Sequence, residues 1–338
     1  MSATDLTARS AAEVLDPAVR RFVTEVNAAY ARIEGFSDLP PPDKRRAAEA
    51  VRAPWRSGGP VMAGTRESRV PVTGGTLRVR IHDPGPPGPK PALIYLHGGG
   101  WMLFSLDTHD RVMREYAARA GVIVVGVDYP LAPEVRFPVA LHQVADLVRW
   151  LALHGAEVGV DGGRLAIGGD SAGGNLAIAT SILLRDAGEP QRLAALLLNY
   201  SVFETDCSTA SATAWGGDGF MLTQDELRMF VRNYLRTADD ARDPLACPAL
   251  AQLEGLPPCC LTIAQCDVLA EQNVAMHGRL AAAGVAARAV IYPGATHSFL
   301  EAVSIAPLAD RALQCGSKWL QDVLGGRRPA TGLSVAPI

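Results

Sequence analysis

This sequence has no surplus of charge, no membrane-length apolar run and no cysteine in its first half. Its 338 residues carry 32 lysines and arginines against 35 aspartates and glutamates, a formal charge of -3. That balance leaves no electrostatic footprint for nucleic acid and no polybasic membrane anchor. No apolar run approaches the roughly 20 residues needed to span a bilayer. The first residues, Met1 to Ser10, lack the basic-then-apolar build of a secretory leader, so a cytoplasmic protein is expected. The six cysteines are Cys207, Cys247, Cys259, Cys260, Cys266 and Cys315, best read as reduced core thiols and not as a disulfide framework. C-x-x-C and H-E-x-x-H are both missing, which argues against zinc, and neither metal nor cofactor is expected. No internal repeat occurs.

What is present is an alternation of strand-like and helix-like segments. Residues 12–55 read as helical. Val19, Phe22, Val23, Val26, Ala29, Tyr30 and Ile33 form one apolar stripe, and the proline run before Asp43 marks a second helix start. From Arg66 the period changes to two, through Arg69-Val70-Pro71-Val72 and Leu77-Arg78-Val79-Arg80-Ile81, joined by Gly74-Gly75. Buried strands are expected at residues 92–96, 122–127, 164–167, 194–198, 259–264 and 288–292, with helices between them. Cys259 and Cys260 then point to opposite faces. The pattern gives an α/β fold, a mostly parallel sheet with helices on both faces. Residues 204–243 interrupt the alternation with a helix that Thr223 and Glu226 begin as a capping box. Residues 326–338 read as a loose tail.

In such sheets the site lies beyond the carboxyl ends of the strands. There the sequence places Gly169-Asp170-Ser171-Ala172-Gly173, between an apolar strand and an apolar helix. This is G-x-S-x-G, whose serine sits on a strained strand-to-helix turn with its hydroxyl exposed. The motif alone is weak, and an ordinary glycine-rich turn would also satisfy it. His97-Gly98-Gly99-Gly100-Trp101 follows another strand, and its consecutive glycines can aim N–H groups at one developing negative charge. A phosphate-gripping loop is the rival reading. It is disfavoured because no G-x-G-x-x-G or Walker lysine is present and Trp101-Met102-Leu103-Phe104 is apolar. Asp267 and His297 each follow a later strand, giving the chain order Ser…Asp…His. His97 is expected to brace its own loop, and His82, His109, His142, His154 and His277 are read as structural. Asp243, before Pro244, is a rival acid but reads first as a turn residue.

Together with Asp128-Tyr129-Pro130-Leu131-Ala132-Pro133-Glu134 and His297-Ser298-Phe299, these motifs resemble the hormone-sensitive-lipase family of esterases, the bacterial family IV group. The resemblance runs from about Val70 to Leu324. It implies an α/β-hydrolase fold with an eight-stranded sheet and a helical cap. Residues 1–60 and 204–243 would form the cap and residues 61–325 the catalytic domain. It implies Ser171 as nucleophile, His297 as base, Asp267 as acid, and backbone oxyanion donors at Gly99, Gly100 and Ala172, supported by His97 and Gly98. Pro130 stands where the family usually has arginine, and Ser298 where it usually has glycine. A carboxylesterase acting on small-molecule esters is expected, with Trp101, Phe104, Phe220 and Met221 lining its pocket or packing in the core. Amide, carbamate or thioester hydrolysis uses the same triad, and plant relatives include dehydratases. A receptor role is disfavoured because His297 is retained. Relatives often dimerise through an edge strand, so a homodimer is a further expectation.

Overall fold

A computed structural model describes residues 10–337. Residues 1–9, most of the segment read as lacking a leader, and Ile338 lie outside the described residues. The short helix α1 (Ala11–Val14) precedes α2 (Pro17–Ala31) and α3 (Pro41–Arg52). Asp16 starts α2 by accepting from the N–H groups of Ala18 at 2.9 Å and Val19 at 3.1 Å. Val19, Phe22, Val23 and Val26 are all buried on that helix's inner face. Fully burying side chains of this kind contributes about 1.5–3 kcal/mol each.

The chain then alternates as the apolar runs require. β1 (Gly64–Val72) and β2 (Gly75–Asp83) form a hairpin, followed by β3 (Lys90–Leu96), α4 (Asp110–Ala120), β4 (Ile123–Asp128) and α5 (Val139–His154). Next come β5 (Val160–Asp170), α6 (Ala172–Asp186), β6 (Ala195–Asn199), α7 (Ala210–Trp215) and α8 (Gln224–Tyr234). β7 (Cys259–Ala264), α9 (Ala270–Ala282), β8 (Ala287–Tyr292), α10 (Pro307–Leu324) and β9 (Gly332–Val335) complete it. The sheet order is β1-β2-β4-β3-β5-β6-β7-β8-β9. β2 is antiparallel to β1 and β4, and every other pairing is parallel.

Two hydrophobic cores lie on opposite faces of this sheet because strand side chains alternate. Ile94, Leu196 and Cys259 pack into one, with α5, α6 and α9. Tyr95, Leu197 and Cys260 pack into the other, with α2, α4 and α10. The capping box on α8 forms as its sequence predicts: Thr223 Oγ1 accepts from the Glu226 N–H at 3.2 Å, and Glu226 Oε2 accepts from the Thr223 N–H at 2.9 Å. Among the described residues no helix is long and apolar enough to cross a membrane.

Two expectations are corrected. The tail is not loose throughout, and among the described residues the sheet has nine strands instead of eight. Gly332–Val335 runs parallel to β8, and the Ala336 N–H donates to the Ile291 carbonyl at 2.8 Å. Its four residues are all exposed, so no burial pattern marks the strand in the sequence. Backbone pairing with the free edge of β8 creates it.

Candidate active site

The elbow lies where β5 ends and α6 begins. Ser171 has φ 54° and ψ -120°, a left-handed conformation that costs on the order of 1–3 kcal/mol in a non-glycine residue. The surrounding contacts hold it there: its N–H donates to the Asn199 carbonyl at 2.9 Å, and its carbonyl accepts from the Val202 N–H at 3.2 Å. Ser171 Oγ lies 2.9 Å from His297 Nε2, and His297 Nδ1 lies 2.8 Å from Asp267 Oδ2. The other oxygen of Asp267 accepts from the Leu269 N–H at 3.0 Å, which fixes the carboxylate plane. All three side chains are buried.

Gly99 and Gly100 face this group across the end of β3. Their N–H groups and that of Ala172 have no protein acceptor among the described residues. Ala172 opens α6, where helix geometry leaves N–H groups free. Gly100 has φ +60°, and a Cβ there would run into the Phe230 ring of α8. Only glycine lets the loop pass beneath that helix.

His97 braces the loop as expected. Its Nδ1–H donates to the Gly98 carbonyl at 2.7 Å, while Tyr129 stacks on its ring at 4.5 Å and donates to its carbonyl at 2.7 Å. Burial pushes the imidazole pKa down to about 4, so it stays neutral. Gly98 is tied to the elbow: its N–H donates to Asp170 Oδ1 at 3.1 Å, beside the Tyr95 hydroxyl at 2.9 Å.

Sequence reasoning gave Asp170 no role and set His109 aside as a residue at a helix start. The structure pairs them, with His109 Nε2 3.2 Å from Asp170 Oδ2. Thr108 Oγ1 already donates to the Ser105 carbonyl, so it accepts from His109 Nδ1 at 2.9 Å. Both ring nitrogens of His109 therefore donate, as in an imidazolium. Burial opposes that charge, but the Asp170 carboxylate and its hydrogen bond overcome it and hold the His109 pKa above the ordinary value. Burial would likewise raise Asp170, yet His109 holds its pKa below the usual range.

The stabilisation from His109 is full below the ordinary histidine value and is lost as pH rises through the raised folded value. That from Asp170 is present above the ordinary carboxylate value and is lost as pH falls through the lowered one. Thermal unfolding of the wild type should therefore show a plateau that declines on its alkaline side, and His109→Gln should remove that decline. An unchanged alkaline limb in the variant would reject the charged pair.

Pro130, one of the two departures, sits in a loop held from outside. Ala132 N–H donates to the Trp101 carbonyl at 2.8 Å, and Arg45 of α3 donates to the carbonyls of Met102 and Ala132, each at 2.8 Å. The same guanidinium meets Glu134 at 2.6 Å. Ser298, the other departure, has φ 60°, the left-handed conformation in which glycine is at ease. It directly follows His297 and lines the same cavity.

A cavity of about 540 Å³ opens on Ser171 and His297. Trp101, Phe104, Phe220 and Met221, the four residues expected at the pocket, all line it. Asn27, Tyr30 and Arg52 from the N-terminal helices close one side, and Leu227 and Phe230 of α8 close another. Trp101 is pinned by stacking on Tyr234 at 4.1 Å. Arg52 was not expected here, and nothing in its sequence neighbourhood marks it.

A serine at a strand-to-helix elbow, with an imidazole and a carboxylate at later strand ends of a mostly parallel sheet, defines an α/β-hydrolase. Residues 93–301 match the family described as alpha/beta hydrolase fold. An acetyl esterase of Salmonella agona (strain SL483) is 34% identical over 267 residues, 78% of this chain and 82% of that enzyme. The solved esterase of the archaeon Pyrobaculum calidifontis superposes with a TM-score of 0.86 at 33% identity, over 91% of this chain and 98% of that one. A thermostable carboxylesterase cloned from a metagenomic library superposes at 0.81 with 34% identity, over 85% and 98% of the two chains. The chain belongs to the α/β-hydrolase family, in its hormone-sensitive-lipase branch, and is a carboxylic ester hydrolase.

Proposed function

We propose that this enzyme hydrolyses short-chain or small-molecule carboxylic esters through an acyl-enzyme on Ser171. The relay carries the reading: Ser171 Oγ to His297 Nε2 at 2.9 Å, and His297 Nδ1 to Asp267 Oδ2 at 2.8 Å. A free serine hydroxyl is a poor nucleophile, so His297 takes its proton as Oγ attacks the ester carbonyl. Asp267 fixes the imidazole tautomer and stabilises the cation that forms. The N–H groups of Gly99, Gly100 and Ala172 receive the developing oxyanion, each such donor contributing about 3 kcal/mol. His297 then gives its proton to the departing alcohol, and water deprotonated by His297 releases the acid and restores Ser171.

Small substrates fit a cavity of about 540 Å³, and the acetyl esterase relative favours a short acyl group. Of the cap expected from residues 1–60 and 204–243, residues 1–9 lie outside the described residues, and residues 10–60 with 204–243 act as a two-part cap over the catalytic domain at 61–325. Support comes from the cavity lining that both segments contribute.

Steady-state hydrolysis of p-nitrophenyl acetate tests the reading, with amide, carbamate and thioester analogues run beside it. Turnover of the ester with slower analogues is expected. Absence of turnover together with tight binding of a small ligand would favour a binding protein. Asp267→Asn should lower kcat roughly 10⁴-fold, because the imidazole loses its tautomer and orientation. A loss under tenfold would assign the acid elsewhere.

A further inference from the structure

We infer that Arg52 is a specificity-determining residue, selecting esters that carry a second, uncharged oxygen acceptor away from the bond that is cut. The inference rests on the esterase reading and adds a substrate class to it. Arg52 closes α3 and lines the cavity that holds Ser171 and His297. It is only 4% exposed, an unusual place for a guanidinium.

Its five N–H donors are only partly satisfied. One nitrogen donates to Glu301 Oε2 at 3.1 Å, and another reaches the Met221 sulfur, a weak acceptor, at 3.4 Å. Nε has no partner. Around it lie the Phe104 ring at 5.0 Å, the Phe22 ring at 5.7 Å and the Tyr30 hydroxyl, which shares a hydrogen bond with the guanidinium. Phe104 itself lines the cavity. Buried donors left without acceptors are costly, and a ligand oxygen that meets them binds more tightly for that reason. A site built this way rejects an analogue of the same shape that lacks the oxygen.

The charges decide which oxygen. Glu301 already pairs with Arg52, and Asp218 and Glu226 line the same cavity. A substrate carboxylate would add a further negative charge among these. A ketone, ether or ester oxygen accepts the hydrogen bond without that repulsion. A clamp role for Arg52, holding the N-terminal helices to the turn after His297, would leave no such preference among substrates.

Matched ester pairs test this on the full chain. On the acyl side, the levulinyl ester of p-nitrophenol is compared with the isocaproyl ester, where a methyl replaces the ketone oxygen. On the alcohol side, acetoxybutanone is compared with isoamyl acetate. In at least one pair the ketone should be preferred by about tenfold or more in kcat/KM, expressed mainly in KM, the scale of one hydrogen bond to a charged group. The pair that responds assigns the side on which Arg52 acts.

The double variant Arg52→Met/Glu301→Gln, which leaves no orphaned carboxylate, should bring that ratio to about one. Circular dichroism and phosphonate labelling of Ser171 check its fold. Wild-type ratios of one or below in both pairs would overturn the inference without any variant. A ratio that survives in a folded double variant would also overturn it, as would preference for the succinyl monoester over the levulinyl ester. Hydrolysis of p-nitrophenyl acetate without ketone preference removes this inference alone. No hydrolysis of any ester removes the proposed function, and this inference with it.

Discussion

Ser171→Ala is expected to lower kcat on p-nitrophenyl acetate by on the order of 10⁵- to 10⁶-fold while the thermal unfolding temperature stays the same or rises. Members of a catalytic triad act as a unit, so losing the nucleophile removes the covalent route completely. The residual rate would come from the three N–H groups at Gly99, Gly100 and Ala172 and from substrate binding. Stability should not fall, because Ser171 is held at φ 54° by its neighbours and its hydroxyl contributes little besides the bond to His297. Mass spectrometry gives the second readout. A fluorophosphonate should add one label to the wild type and none to the variant. Retention of the label, or a loss under 10³-fold, would place the nucleophile elsewhere.

Gly173→Ala should damage both stability and rate by a steric route. Gly173 lies in the first turn of α6, where alanine is normally favoured over glycine by about 1 kcal/mol. Here the sign reverses. The added methyl would sit within 2.5 Å of the Leu96 carbonyl carbon, even closer to the Leu96 oxygen, and 2.7 Å from the His97 oxygen. These are backbone atoms of the strand end and of the His97–Gly100 loop, so no side chain can swing aside.

Overpacking of this kind costs about 3 kcal/mol or more. Any relief pushes the His97–Gly100 loop away from Ser171, and a shift of about 1 Å lowers kcat roughly 100-fold. Gly278→Ala on α9 is the control. Gly278 is exposed, and a Cβ there meets nothing within 4 Å. That change should stabilise by about 0.5–1 kcal/mol with no effect on rate. Equal effects of the two changes, measured by denaturant unfolding and kcat, would reject the close approach.

The close approach also explains why the elbow is readable in the chain. Gly169 and Gly173 flank Ser171 at fixed covalent spacing, and a methyl on Gly169 would likewise meet the Leu96 carbonyl. A local backbone constraint therefore writes itself into neighbouring residues. Strand ends are legible for a related reason, because apolar runs stop where the sheet stops. That rule alone directs attention to His97, Ser171, Asp267 and His297.

Contacts between distant segments leave no such mark. Arg52 and Glu301 are separated by 249 positions, and neither lies in a motif. Asp170 stands inside the quoted elbow, yet its partner His109 lies 61 positions away. Arg45 reaches the loop after β4 only because α3 lies over it. β9 is the clearest case, since its exposed residues carry no pattern and the free edge of β8 makes them a strand.

By itself the sequence determined the alternating α/β fold, the strand-end positions of Ser171, Asp267 and His297, and the glycine loop opposite them. Periodicity and backbone crowding act between residues close in the chain, and they are enough for that. Only the tertiary structure decided how the two helical segments wall the cavity, which charges are buried beside it, and where the ninth strand pairs. Those outcomes depend on desolvation and hydrogen bonding between groups that meet only after the chain has folded.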